Sequence, residues 1–220
     1  MNDFGVFDII GPRMIGPSSS HTAGAARLSN IAFRIANRDV VKARLTLYGS
    51  FAETGRGHGT DKALVAGILG MQSDDDRLRF SMLLAEEAGV EIEIIYSDEE
   101  VRHPNTVKIE TTSNDGSVMT MIGSSIGGGN VIITGLNGMD VNFSGDYPTM
   151  IVNYEDAPGA ISLVTGILAK RGINVAFMRV FRKGRKTTAC MVIETDGTIP
   201  SEVADEILKR IATVHEVRII

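Results

Sequence analysis

The sequence predicts a mixed α/β protein of the α+β class with two domains. Helical and strand patterns alternate along the first two-thirds of the chain without an internal repeat. The last third instead follows a regular order of strand, helix, two strands, helix and strand. The polar stretch 140–150, which contains glycine and proline, separates these two parts. We therefore predict domains of residues 1–145 and 146–220.

Every element in the last third has a periodic pattern and a stop signal. Pro158 suits a first helical turn, Gly172 suits the cap that ends the same helix, and Pro200 stands near the start of the next helix. This order is the split βαβ arrangement of ferredoxin-like folds, so we expect two helices on one face of a four-stranded antiparallel sheet. The predicted elements are strand 150–155, helix 161–172, strands 173–182 and 186–195, helix 198–212 and strand 216–220.

The first part contains both helices and strands, and its pattern does not fix a topology. Leu28, Ile31 and Ile35 recur at helical spacing, which predicts a helix over 22–37. The other predicted elements are a short strand at 7–11, a strand at 43–50, a glycine-rich loop and helix over 54–70, a helix at 76–89, and strands at 90–97, 101–113, 116–125 and 130–138.

Composition and charge exclude two classes of function. Hydrophobic residues make up 43% and charged residues 22% of the chain, as in ordinary globular proteins. The net charge of −5 gives no electrostatic support to nucleic-acid binding. No apolar run reaches the roughly 18 residues that a membrane-spanning helix needs, and the first residues lack the pattern of a secretory signal. We therefore expect a cytoplasmic protein that binds neither nucleic acid nor membrane.

The single cysteine limits the metal chemistry of this chain. Cys190 lies in a strand-like apolar run, where the expected role is that of a small buried hydrophobic residue. One cysteine cannot form an internal disulfide, a four-thiolate zinc site or the complete ligand set of an iron–sulfur cluster. We therefore expect no metal site on this chain, and any metal cluster must be held by another chain.

Three loops rich in glycine or hydroxyl groups are candidate functional sites: 15–24, 53–63 and 123–130. The first two open predicted helices, whose unpaired N–H groups suit a small anion such as a carboxylate. The third has no following helix, so its glycines indicate a turn or a close approach by another chain. None of the three has the spacing of a nucleotide-binding loop. A helix cap needs one serine, so three serines followed by His21 favour a function for the first loop.

The run NYEDAPGAISLVTGILAKRGINV resembles the opening of an ACT domain, a small module that binds amino acids as regulators. The resemblance implies that Asn153, Asp156 and Gly159, in the loop between strand and helix, contact an effector. The helix N-terminus offers N–H groups to a carboxylate, and Asp156 could accept from an ammonium group. Asp156 is equally a normal helix-capping residue, and such a module can serve assembly alone.

The motifs IGPSSSHTAG, GHGTDKALVAGILG and SIGGGN together resemble the beta chain of bacterial iron–sulfur L-serine dehydratases, along essentially the whole chain. That family converts L-serine to pyruvate and ammonia. The resemblance implies a 4Fe–4S cluster whose ligands lie on a separate alpha chain, which would be the partner of this chain. It also implies that the first domain is similar to the domain of some phosphoglycerate dehydrogenases that binds an allosteric anion.

Residue roles follow from the same resemblance. His21 is the candidate catalytic base, because an imidazole accepts a proton near neutral pH. Four hydroxyl residues would bind the substrate carboxylate or orient His21: Ser18, Ser19, Ser20 and Thr22.

Other interpretations remain open at this stage. His21 could simply form hydrogen bonds within its own loop, and His58, Gly59 and Thr60 could bind an anion or contact the partner chain. The chain could also be an amino-acid sensor that regulates a partner enzyme, or an architectural subunit. ACT domains commonly pair side by side, so we expect a homodimer formed through the second domain.

Overall fold

The structure, a computed structural model, describes residues 13–182, 184 and 187–220. The chain divides into two compact units, the first ending at Gly138 and the second beginning at Met139. The predicted domain boundary, after residue 145, lies a short distance beyond this division. The strand predicted at 7–11 falls outside the described residues. Every helix of the described part is too short or too polar to cross a membrane.

A mixed sheet organises the first unit. Its strands are β1 Lys42–Tyr48, β2 Glu91–Tyr96, β3 Thr106–Thr112, β4 Val118–Gly127 and β5 Asn130–Leu136. They follow the order β2-β1-β3-β4-β5. A further strand, β6 Met139–Phe143, begins the second unit. β1 and β2 are parallel, whereas β1–β3, β3–β4 and β4–β5 are antiparallel. A parallel pair needs a crossover connection, and the helices between β1 and β2 provide it.

Helices cover one face of this sheet. A π-helical segment, Ser19–Gly24, continues directly into α1 Ala25–Ile35; then follow α2 Ser50–His58, α3 Thr60–Ile68, a 3₁₀ segment Asp76–Phe80 and α4 Ser81–Glu87. The core between sheet and helices contains Leu28, Ile31, Leu45, Leu64, Ile109, Met121 and Ile133. α1 and α3 approach closely at Gly67, where a Cβ would lie 2.8 Å from the Asn30 nitrogen and closer still to the Ala26 carbonyl oxygen. Only glycine allows this contact.

The second unit has the predicted ferredoxin-like arrangement. Its elements are β7 Thr149–Glu155, α5 Ala160–Lys170, β8 Val175–Arg182, β9 Thr188–Thr195, α6 Ser201–Arg210 and β10 Val214–Ile219. The strands pair antiparallel in the order β10-β7-β9-β8. Alternate strand residues pack on the helices, in a core that includes Met150, Val152, Tyr154, Val164, Leu168, Met191, Ile193, Val203 and Ile207. The sequence prediction of this fold is confirmed.

Cys190 lies in β9 with 1% of its surface exposed. Burial raises the pKa of its thiol to about 12. The residue therefore has the chemistry of a small hydrophobic side chain at neutral pH, as the sequence predicted.

Several local predictions differ from the structure. The helix predicted at 22–37 begins at Ser19 and ends at Ile35, because Asn37 and Arg38 adopt positive φ angles of 55° and 61°. β6 was missed, since its alternating burial is only five residues long and polar turn residues follow it. The third loop, 123–130, is largely strand: β4 continues through Gly127, and β5 begins at Asn130.

Candidate active site

The serine-rich segment starts the first helix, and one of its serines supplies the cap. Ser18 has an extended backbone, and its Oγ accepts a hydrogen bond of 3.2 Å from the His21 backbone N–H. The Thr22 N–H donates to the Ser18 carbonyl at 2.8 Å. Ser19 and Ser20, both half-buried, are not needed for this cap. The first turns are π-helical, a distortion that often occurs at functional sites.

The His21 ring forms a hydrogen bond through each nitrogen. Nδ1 lies 2.9 Å from the Thr60 hydroxyl oxygen, and Nε2 lies 3.3 Å from the Ser50 hydroxyl oxygen. His21 is 8% exposed and Thr60 is fully buried, whereas Ser50 is half-buried. The Nε2 side is therefore the more open side of the ring.

Two rings flank this imidazole. Phe51 meets it edge-on, with 5.1 Å between ring centroids, and the His58 ring lies 4.9 Å away. Burial lowers the pKa of His21 below its ordinary value of 6.5, and a positive charge on His58 lowers it further. His21 is consequently neutral at physiological pH and able to accept a proton.

The Thr22 hydroxyl points inward. Thr22 is 1% exposed, and its side chain packs against Gly16, where a Cβ would lie 2.8 Å from Thr22 Cγ2. Its Oγ1 is buried and makes no hydrogen bond. Thr22 is therefore a buried packing residue of this segment. The half-buried residues Ser18, Ser19 and Ser20 lie nearer the surface.

Folding brings the first two predicted loops together. The sequence predicted a loop over 53–63, which is wrong, because most of this stretch is the end of α2 and the start of α3. Gly59, with a left-handed φ of 72°, separates the two helices and directs Thr60 toward His21. His58 is exposed, and its Nδ1 lies 3.1 Å from the Thr54 carbonyl oxygen of its own helix.

Ser125, from the third predicted loop, packs against the π-helical segment that contains His21. Ser125 of β4 is fully buried, and its side chain touches Gly24, the last residue of the π-helical segment. A Cβ on Gly24 would lie 2.6 Å from Ser125 Cβ. Ser125 is thus a packing residue against the His21 segment, and the buried Ser124 hydroxyl lies 2.7 Å from that of Thr106, so neither belongs to a surface loop.

Sequence reasoning missed Ser50 and Phe51. Both follow Gly49, which has φ 51° and where a Cβ would lie 2.7 Å from the Pro104 carbonyl oxygen. A glycine and a serine between a strand pattern and a following segment are a helix-start signal, and that signal could have identified Ser50. No local signal indicates that the helix would begin beside His21.

The effector loop predicted in the second unit is engaged in its own contacts. The Asn153 side-chain amide donates to Glu216 at 2.6 Å, and Asp156 forms an ion pair with Arg182 at 3.2 Å. Gly159 caps α5 with a left-handed φ of 91°. The N-terminus of α5 has no side-chain cap. Effector binding by these three residues stays a prediction.

The described residues do not supply a ligand set for an iron–sulfur cluster. No three His, Cys, Asp or Glu side chains among them lie close enough together to hold a metal ion. Cys190 is buried with a high pKa, so its thiolate form is disfavoured.

The fold and the site define a two-domain protein with a histidine–hydroxyl site in the first domain and a small ferredoxin-like module in the second. Residues 149–213 match the family model of the ACT domain, and residues 5–88 match that of the serine dehydratase beta chain. The chain belongs to the L-serine dehydratase beta-chain family. The sequence had predicted this membership, which is now confirmed.

Relatives of similar length support the assignment. The chain is 45% identical over 204 residues to the probable L-serine dehydratase beta chain of Bacillus subtilis, covering 93% of this chain and 92% of the relative. It is 38% identical to the L-serine dehydratase beta chain of Peptoniphilus asaccharolyticus, covering 94% of each. A D-3-phosphoglycerate dehydrogenase of Methanocaldococcus jannaschii is 32% identical over 124 residues, covering 56% of this chain and 23% of that protein. The predicted fold class, with its likeness to phosphoglycerate dehydrogenases, is confirmed.

Proposed function

We propose that this chain is the subunit of an L-serine dehydratase that supplies the catalytic base. The observation that carries this proposal is the His21 imidazole, which lies 8% exposed at the start of a helix, with a hydroxyl group at hydrogen-bond distance from each ring nitrogen. In the reaction, L-serine loses its Cα proton and its Cβ hydroxyl. The resulting enamine tautomerises to an imine, which takes up water to give pyruvate and ammonia.

His21 is suited to remove the Cα proton. Its pKa is lowered by burial, so the ring is unprotonated at neutral pH and can accept a proton. Nε2 is the nitrogen on the more open side, next to Ser50. Substrate bound there would displace or share the Ser50 hydroxyl group.

Substrate recognition can use the start of the same helix. The first N–H groups of a helix attract a carboxylate, and serine hydroxyls can donate to it. Ser18, Ser19 and Ser20 lie at this end, half-buried. We propose that they bind the substrate carboxylate at the boundary with the alpha chain.

A 4Fe–4S cluster on that alpha chain would act as a Lewis acid for the leaving hydroxyl group. The proposal places its ligands there because this chain's described residues supply none. This division of labour predicts that the chain is inactive alone.

The test is anaerobic reconstitution of the His21→Ala chain with its alpha chain. Loss of a general base lowers turnover by roughly 100- to 10,000-fold, so we expect pyruvate formation from L-serine to fall by that factor. Cluster content should equal that of the unsubstituted enzyme. His215→Ala is the matched control, because His215 is an exposed histidine near Glu155 and should retain full activity. Near-normal turnover by His21→Ala would remove this residue from catalysis.

An amino-acid sensor is the competing function, favoured by the ACT domain. Serine binding by the chain alone, with no cysteine-rich companion recovered in a pulldown, would support it.

Either function is compatible with a homodimer, and we propose that β8 forms its interface. This edge strand exposes Phe177 and Val180 by 48% and 41%. A strand at the edge of a sheet has unpaired backbone groups that can pair with a strand of a second copy.

A further inference from the structure

We infer that Thr60 is a positioning residue for His21: its hydroxyl oxygen accepts the Nδ1 hydrogen and so keeps Nε2 free to take a proton. This role rests on the proposed function, since it requires that His21 is the catalytic base. Thr60 lies 39 residues beyond His21 and begins a different helix.

The geometry separates a buried side of the ring from an open side. Thr60 is fully buried, and its hydroxyl lies 2.9 Å from Nδ1. Ser50, on the Nε2 side, is half-buried and lies at the longer distance of 3.3 Å. A buried residue closes the Nδ1 side and a half-buried residue borders the Nε2 side, so we assign Nε2 as the nitrogen that acts as the base.

Imidazole chemistry then defines what Thr60 must do. A neutral imidazole carries one hydrogen, and the nitrogen without it is the one that accepts a proton. Nε2 is the base only when Nδ1 holds the hydrogen, and a buried N–H needs an acceptor. Within the described part of the chain, the Thr60 hydroxyl lies at hydrogen-bond distance from Nδ1, and its oxygen can accept the hydrogen of that nitrogen. When Nε2 takes a proton, the same hydrogen bond remains in place.

The local fold holds this hydroxyl group rigidly. Gly59 turns the chain with a left-handed φ of 72°, and Thr60 is the first residue of α3. Its Cβ packs 3.3 Å from where a Cβ on Gly55 would lie. Phe51 and His58 flank the ring, with centroids 5.1 Å and 4.9 Å from the His21 centroid.

The test measures the tautomer in the full chain and turnover in the assembled enzyme. Nitrogen-15 spectra, recorded above the pKa of His21, report which ring nitrogen carries the hydrogen, and His21→Ala assigns the signal among the four histidines. We expect Nδ1 to be protonated in the unsubstituted chain and in Thr60→Ser, and this preference to be lost in the isosteric Thr60→Val. Thr165→Val, which removes a hydroxyl bonded only to its own helix, is the control and should change nothing.

In the assembled enzyme, Thr60→Val should lower kcat about five- to tenfold, the loss expected for one neutral hydrogen bond, and leave KM within about twofold. Thr60→Ser should restore most of this loss. Protonated Nε2 in the unsubstituted chain, or the same tautomer and kcat in Thr60→Val, would overturn the inference. Normal turnover by His21→Ala would instead overturn the proposed function, and the nitrogen spectra would still decide the role of Thr60.

Discussion

Gly24 closes the π-helical segment, and its replacement by alanine tests how tightly the His21 segment is packed. The backbone there is ordinary right-handed helix, with φ −63° and ψ −42°, so alanine brings no backbone strain. Helix propensity alone would add about 1 kcal/mol to the free energy of unfolding. A Cβ at this position, however, would lie 2.6 Å from Ser125 Cβ, inside a fully buried contact.

Overpacking of this kind costs about 1–3 kcal/mol, and the upper end applies because neither residue can move toward solvent. We therefore expect Gly24→Ala to lower the free energy of unfolding by a net amount of about 2 kcal/mol, measured by urea denaturation. The matched control is Gly57→Ala, in an exposed helical position with nothing within 4 Å, which should gain about 1 kcal/mol.

A double-mutant cycle identifies the cause of the loss. Ser125→Gly removes the obstructing atoms, so Gly24→Ala should no longer destabilise the chain in that background. If Gly24→Ala unfolds like the unsubstituted chain, or destabilises it equally with and without Ser125, the steric explanation is wrong.

Three further expectations concern titration, stability and reactivity. The acid limb of the plot of kcat/KM against pH should lie below pH 6.5, because protonation of His21 removes the base and the pKa of His21 is lowered. His58→Gln should move this limb back toward pH 6.5, because it removes a nearby charge. Because the pKa of His21 is lower in the folded state, the unfolded state binds more protons below pH 6.5. The free energy of unfolding should therefore fall as the pH decreases from 6.5, and this pH dependence should weaken in His21→Ala. Cys190, with a pKa of about 12, should resist iodoacetamide in the native chain and react fully in urea, as mass spectrometry would show; rapid native alkylation would contradict its burial.

The second domain could be predicted from sequence because its signals are local. Gly172 has a left-handed φ of 69°, where the cap was expected, and Pro200 directly precedes α6. Apolar residues at a constant period on each helix and strand define the buried face. The four-stranded order then follows from the split βαβ connection.

The site in the first domain could be predicted only in part. His21 and its serines stand out within ten residues of sequence, but their partner Thr60 is distant in the chain, and no periodicity joins the two. The glycines at 55, 57 and 59 indicated a loop by composition, whereas two of them lie within α2. Tertiary packing overrode their weak local preference.

The backbone contact at Gly67 fixes the distance between the two helices that carry the site. His21 and Thr60 lie at the N-terminal ends of two helical segments that touch at Gly67 without intervening side chains, so neither helix can slide past the other. The hydrogen bond between the imidazole and the Thr60 hydroxyl therefore forms within this one chain. If a second subunit binds beside this site, as we propose, the ordering of these two groups adds no further entropy cost to the association.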